Sequence, residues 1–205
     1  SLVAAAGAPW FVLPIDLVGY AKLTTTNVST TGAKTITMTP IAATAAKVDR
    51  YPNGEGLRMF VASYAAMGAN APTMQVTYTN SAGTTGRTTT AGIVSTASAT
   101  SGVLLNSGNA ANKVGPFLNL AAGDTGVKDI QTLTWGGTAH ASGSVFIGLC
   151  KPLCMPIPVP ATGLFNLVDF VNTLPSMPRL RNGANVQFLI FATGATTSGA
   201  TLYTT

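Results

Sequence analysis

The sequence predicts an all-β protein, an antiparallel β-sandwich with one short helix near residues 163–174, favoured as a jelly roll over the immunoglobulin-like topology that periodicity does not separate from it. Three observations lead there. Residues 74–90 hold two alternating, threonine-rich runs around a Ser-Ala-Gly-Thr-Thr-Gly connector. About eight to ten strand-length segments recur at intervals of roughly 10 to 20 residues, as sandwiches and jelly rolls require. No run of crossover helices separates them, which excludes a parallel α/β fold. The 205 residues contain no polar linker or charge run, so one globular unit is expected. It is read as an extended N-terminal arm over residues 1–21 and a single β-sandwich domain over residues 22–205.

The arm is apolar, but Pro9, Pro14 and Asp16 interrupt it before it could span the ~20 helical residues a bilayer needs, and no basic stretch precedes it as in a signal peptide. No membrane partner is expected, and the initial Ser is what trimming of a starting Met leaves, so synthesis in the cytoplasm is the expectation, with a secreted chain already stripped of its leader as the alternative that would look the same. Each large apolar side chain left in water costs about 1.5 to 3 kcal/mol relative to burial. The arm must therefore lie on something, either its own sheet or a neighbouring subunit. Trp10, Phe11, Leu13 and Ile15 are its candidate contact residues.

Residues 23–39 read as threonine-rich β structure with a turn near Thr31-Gly32, closed by Pro40. Residues 41–46 are alanine-rich and suit a helical turn, and Tyr51-Pro-Asn-Gly-Glu-Gly56 is dense enough in turn formers to be a loop. Residues 57–64 form the next strand and lead through Gly68-Ala-Asn-Ala-Pro72 into the hairpin. There Met74, Val76 and Tyr78 share one face, and Asn80, Ser81, Gly83 and Gly86 supply the reversal.

Residues 102–105, 114–120 and 127–135 are read as further strands; in the last, Ile130, Thr132 and Thr134 are set opposite Gln131, Leu133 and Trp135. Residues 143–149 are continuously apolar, as in a strand covered on both faces. The proline-rich residues 151–160 cannot form a central strand and should be extended loop or edge. Leu164, Leu167, Val168, Val171 and Leu174 recur at helical spacing after Thr162, a fitting N-cap. Residues 185–192 and 200–203 supply the closing strands.

Charged residues make up 8% of the chain, against about a quarter in ordinary domains. A chain so poor in charge keeps its surface wetted with hydroxyls and amides or buries it in an assembly, and a homo-oligomer, a closed dimer or trimer, is expected. The net charge of +5 comes from 11 Lys and Arg against six acids, without basic residues interleaved with aromatics, so no nucleic-acid partner is expected. Arg179 and Arg181 are the closest basic pair and are further candidate contact residues.

The chemistry of an enzyme is not written locally. None of the acids Asp16, Asp49, Glu55, Asp124, Asp129 and Asp169 lies within two positions of another, and Asp124 reads as a turn former. His140 is the single histidine, which excludes two-histidine metal sites, and neither Ser142 nor Ser144 sits in a nucleophile turn. Cys150 and Cys154 lack the further ligands a metal would need and are read as reduced thiols. Gly83-Thr-Thr-Gly86 lacks the Lys-Ser/Thr of a phosphate loop. No catalytic, cofactor-binding or metal-binding residue and no small-molecule substrate is expected.

Three phrases carry a resemblance: Val76-Thr-Tyr-Thr-Asn-Ser-Ala-Gly-Thr-Thr-Gly-Arg-Thr88, Tyr51-Pro-Asn-Gly-Glu-Gly56, and Leu174-Pro-Ser-Met-Pro-Arg179 with the strand over residues 185–191. Through them the chain resembles virion structural proteins of tailed bacteriophages, particularly small capsid decoration or cement proteins, over about residues 10–204. The resemblance implies a non-enzymatic protein that associates with itself and with the major capsid protein on the capsid surface of a virion. The competing class is a carbohydrate- or receptor-binding sandwich of a phage fibre or secreted protein. It would need an exposed aromatic platform drawn from Trp10, Tyr51, Tyr64, Tyr78, Trp135 and Tyr203.

Overall fold

The structure is a computed structural model, described over residues 10–40, 50–90, 93–94, 99, 101–102, 104–105, 116–159, 180–192 and 202–203. In chain order its elements are β1 (Trp10–Leu23), a single helical turn α1 (Thr25–Val28), β2 (Gly32–Thr35), β3 (Thr39–Pro40), β4 (Arg58–Ala65), β5 (Thr73–Asn80), β6 (Arg87–Thr88), β7 (Ile93–Val94), β8 (Val127–Gly136), β9 (Ser144–Pro152), β10 (Ile157–Val159), β11 (Val186–Ala192) and β12 (Leu202–Tyr203). Sheet A runs β12-β11-β1-β9-β4, with β10 and β3 also paired to β1; sheet B runs β2-β8-β5-β6, with β7 also on β5.

The pairs are nested. β5 pairs with β6, β4 bridges Leu104, β2 pairs with β8 and β1 with β9, all antiparallel. Successive pairs fall alternately in sheets B and A, as when one long hairpin is rolled on itself. The result is an all-β sandwich, and the nesting of its pairs is that of a jelly roll, which the spacing of the segments did not separate from an immunoglobulin-like topology.

Between the sheets lies the main core. Met74, Val76 and Tyr78 from β5 and Val127, Ile130, Leu133 and Trp135 from β8 meet Val18, Ala21, Met59, Val61, Val145, Ile147 and Leu149 from sheet A. Thr77 lies between buried Val76 and Tyr78 and faces away, as the hairpin's alternation predicted. β8 departs from its expected alternation. Against β5 its register slips twice, leaving Lys128 and Gln131 as extra residues, so Ile130 joins Leu133 and Trp135 on the core face instead of opposing them.

Sheet A carries a second core on its other face, where Leu13, Ile15, Leu17, Phe60, Ala62, Leu104, Cys150 and Leu189 pack together. A bulge in β1 between Leu17 and Gly19 lets one strand serve both cores. Before it, odd positions face the outer cluster; after it, Ala21 and Leu23 face the inner one. β9 is covered on both faces, as its continuous apolar run predicted. Aromatic rings extend the outer cluster, with Tyr20 stacked on Phe146 at 5.3 Å and Phe146 tilted against Phe60 at 5.9 Å. Gly148 makes room for them, since a Cβ there would meet the Phe60 ring.

The boundary expected after residue 21 falls inside β1, so residues 10–21 are a strand of the sandwich rather than an arm beside it. Pro14 and Asp16, which interrupt the apolar pattern, are both accommodated. Leu153 N–H donates to the Pro14 carbonyl at 3.0 Å, so Pro14 faces the gap in the lane where β9 ends and β10 has not begun. No ladder donor is missed there.

Residues 25–28, expected to be extended, form the helical turn that tucks Val28 into the core. Where described, residues 102–105 and 114–120, expected as strands, form no named strand and touch the edge strand β4 at separate points, Asn119 O also accepting from Thr90 N–H at 3.3 Å. Gly102 N–H reaches Ser63 O at 2.8 Å, Leu118 N–H reaches Met59 O at 2.8 Å, and Leu104 bridges Ala62. They cover an edge that would otherwise invite pairing by another chain. The helical turn over residues 41–46, the helix near residues 163–174 and Arg179 lie outside the described residues.

Candidate functional site

Asp16 is fully buried in β1, and an unpaired carboxylate there would cost several kcal/mol. Three groups compensate it. The Tyr51 hydroxyl donates to Oδ2 at 2.8 Å, and the Asn185 N–H donates to Oδ1 at 2.9 Å. Arg50 brings Nε to 3.2 Å from Oδ2, as an ion pair without hydrogen-bond alignment, and Nη2 to 3.5 Å from Oδ1. The lone acid of an apolar strand thereby ties β1 to the loop after residue 49 and to the entry of β11.

That loop is shaped by its own sequence. Pro52 opens a 3-10 turn, Pro52–Gly54, and the backbone turns left-handed at Asn53, Gly54 and Gly56, with φ of 64°, 72° and 70°. Only glycine fits at position 54, where a Cβ would strike the Val127 carbonyl; at Gly126 it would strike the Gly54 carbonyl. The two backbones touch directly, held by a Glu55–Gly126 bridge and by Gly56 N–H to Thr125 O at 3.2 Å. The loop expected at residues 51–56 is therefore fixed against the start of β8.

Above it opens a pocket of about 510 Å³ lined by Arg50, Tyr51, Glu55, Thr125, Lys151 and Arg181, among others. Lys151 Nζ and the Arg181 guanidinium carbon lie 6.0 and 5.7 Å from the Tyr51 ring centroid, within or near cation–π range. Lys151 Nζ also donates to the Glu55 carbonyl at 3.4 Å. Burial, and then the hydrogen bond to Asp16, hold the Tyr51 phenol well above its ordinary pKa, so it stays a neutral donor.

Asp124 is the other polar centre. Tyr78 Oη donates to Oδ2 at 2.6 Å, Arg87 Nε to Oδ2 at 2.9 Å and Asn80 Nδ2 to Oδ1 at 2.8 Å. Tyr78 Oη in turn accepts from Ala121 N–H at 2.8 Å. The hydrogen bond from Arg87 leads in lowering the Asp124 carboxyl to about 2, while burial ahead of the Asp124 bond pushes Tyr78 up to about 12. Groups so displaced are poor proton carriers near neutrality. The arrangement latches the hairpin to the 121–125 turn, in keeping with the turn-former reading.

Of the contact residues proposed from sequence, Leu13 and Ile15 lie in the chain's own outer core, and Phe11 is half-buried. Trp10 pairs through its backbone with Val159 and Ala192. Arg181 is exposed at the pocket. Leu13 and Ile15 in the outer core and Arg181 at the pocket do not form one patch. Sequence reading missed the joining of Asp16, Arg50, Tyr51 and Lys151; its one signal was an acid alone in an apolar strand, which needs a cation from elsewhere.

His140 is buried edge-on to Trp135, with ring centroids 5.4 Å apart, and burial lowers its pKa. Cys150 is buried, Cys154 is half-buried, and both are unbridged. Among the described residues no three His, Cys, Asp or Glu side chains gather as metal ligands, and no helix is long and apolar enough to cross a membrane. No protein-family model, curated protein or solved structure matches the chain.

Proposed function

We propose that the chain is a non-enzymatic structural protein of a bacteriophage virion, which decorates or cements the capsid through contacts with copies of itself, as a dimer or trimer, and with the major capsid protein. The observation that carries this reading is the outer face of sheet B. Thr35, Thr132, Thr77 and Thr88 stand in register across β2, β8, β5 and β6, a rank of hydroxyls where an isolated domain would carry charges. Such a face loses its water at lower cost than a charged one, and the cores of protein interfaces are depleted in charge. Jelly rolls recur in viral capsid and lectin domains, and the sequence resemblance favours the first.

A carbohydrate-binding module would need a platform of exposed rings. Of the six aromatic residues considered for it, Tyr78 and Trp135 are buried, Tyr51 is flanked by cations, and Tyr64 is exposed with Lys22 Nζ 3.6 Å above its ring. Co-sedimentation with assembled phage heads tests the proposal. Saturable binding at a fixed ratio to the major subunit is expected, and recovery only in the supernatant would refute it.

A further inference from the structure

We propose that the pocket beside Tyr51 is a binding site for a carboxylate-bearing ligand. Its cations come from three separate segments: Arg50 before the 3-10 turn, Lys151 on β9 and Arg181 ahead of β11. The Arg50 side chain is 5% exposed, and its Nη1 has no hydrogen-bond partner among the described residues. That nitrogen is enclosed by protein, so Arg50 acts on the pocket through its charge, while exposed Arg181 and half-buried Lys151 are the cations a ligand touches directly. Neither Lys151 nor Arg181 forms an ion pair with a described acid, since the described pairs are Arg50 with Asp16 and Arg87 with Asp124.

The balance of charge selects the ligand. Among the described residues, three cations face Glu55 on the wall and Asp16 behind it, leaving one net positive charge, which a single carboxylate neutralises and a phosphate dianion would overfill. Guanidinium forks match the planar carboxylate. The pocket is larger than that one group, about 510 Å³, within the range of ordinary ligand sites. The Tyr51 ring and Pro52 offer apolar wall to the carbon body that carries the acid. A free sugar acid and an acidic side chain on a partner protein both present this chemistry.

Titration of the full chain followed by amide NMR at Tyr51 and Gly56 tests the site. The probes are glucuronate, an acetylated and amidated Gly-Glu-Gly peptide, its Gly-Gln-Gly counterpart, and inorganic phosphate. Saturable shifts are expected with at least one of the two carboxylates, and the tighter of the two identifies the source. The glutamine peptide should be silent and phosphate weaker. Arg181→Glu and Lys151→Glu, both at accessible positions that leave the Asp16 cluster intact, should each weaken binding about tenfold or more. Lys34→Glu, on β2 of sheet B, makes the same charge change elsewhere and should leave affinity unchanged. The proposal is overturned if neither carboxylate saturates, if phosphate binds more tightly than both, or if Lys34→Glu weakens binding as much as the pocket variants.

Discussion

Sheet A is covered on both faces, whereas sheet B gives one face to the core and turns threonines outward on the other. Each arrangement leaves its own mark on the sequence. In sheet B the mark is alternation: Met74, Val76 and Tyr78 are buried while Gln75 and Thr77 are partly open. In sheet A it is near-continuous apolar character, since Val145, Ile147 and Leu149 enter one core and Cys150 and the Phe146 ring the other. Period-two patterning thus reports how many faces of a sheet are dry, and a strand buried twice resembles an apolar tail when it lies near a terminus.

Substitutions can break or sharpen this contrast. Val76→Asp places an unpaired carboxylate between the sheets and should cost several kcal/mol, enough to unfold the protein. A melting temperature equal to that of the unmodified chain would show the register of β5 to be wrong. Next in size are truncations in the outer cluster of sheet A. Ile15→Ala and Leu189→Ala should each destabilise by about 2 to 5 kcal/mol in urea titrations, the range for buried aliphatic side chains. Losses below about 1 kcal/mol would mean that the second face of sheet A is a surface.

Asp124→Asn should cost about 1.5 to 3 kcal/mol, as for hydrogen bonds to a charged group. The same latch sets a pH dependence. Because folding lowers the Asp124 carboxyl from 3.8 to about 2, its contribution is complete above about pH 4 and is lost as pH falls toward 2. Because folding raises Tyr78 from 10.0 to about 12, its contribution is complete below pH 10 and fades as pH rises toward 12. Asp124→Asn should flatten the acid limb in stability measured from pH 5 to pH 2, and an unchanged acid limb would contradict the latch. The smallest effect is expected on the outer face of sheet B. Thr132→Ser should change stability by no more than about 0.5 kcal/mol, so a larger loss would assign that face to the chain's own core.

What could be read in advance follows the same division. The hairpin was legible because alternation and turn chemistry agree over residues 73–88. Ile130 was misassigned because the bulges of β8 depend on pairing with β5, which no local pattern encodes. Three of residues 25–28, Thr25, Thr26 and Val28, are β-branched, as a strand should be, yet closing the corner over the core favours a helical turn. Asp16 and Pro14 looked like interruptions because their accommodation depends on Arg50, Tyr51, Asn185 and the gap between β9 and β10. The polar site was hidden for the same reason, since its cations lie on segments far apart in the chain.

The place of β1 in sheet A also governs the order of events as the chain is made. Its long-range partners, β9, β10 and β11, all begin beyond residue 143. At ordinary rates of translation, about 5 to 20 residues per second, the wait from β1 to β11 is on the order of ten seconds or more. During that time a largely apolar strand has no completed sheet to join. Pro14 and Asp16 interrupt its centre, where such residues act as gatekeepers against self-association. The features that made this segment hard to recognise as a strand also protect the nascent chain until its neighbours emerge.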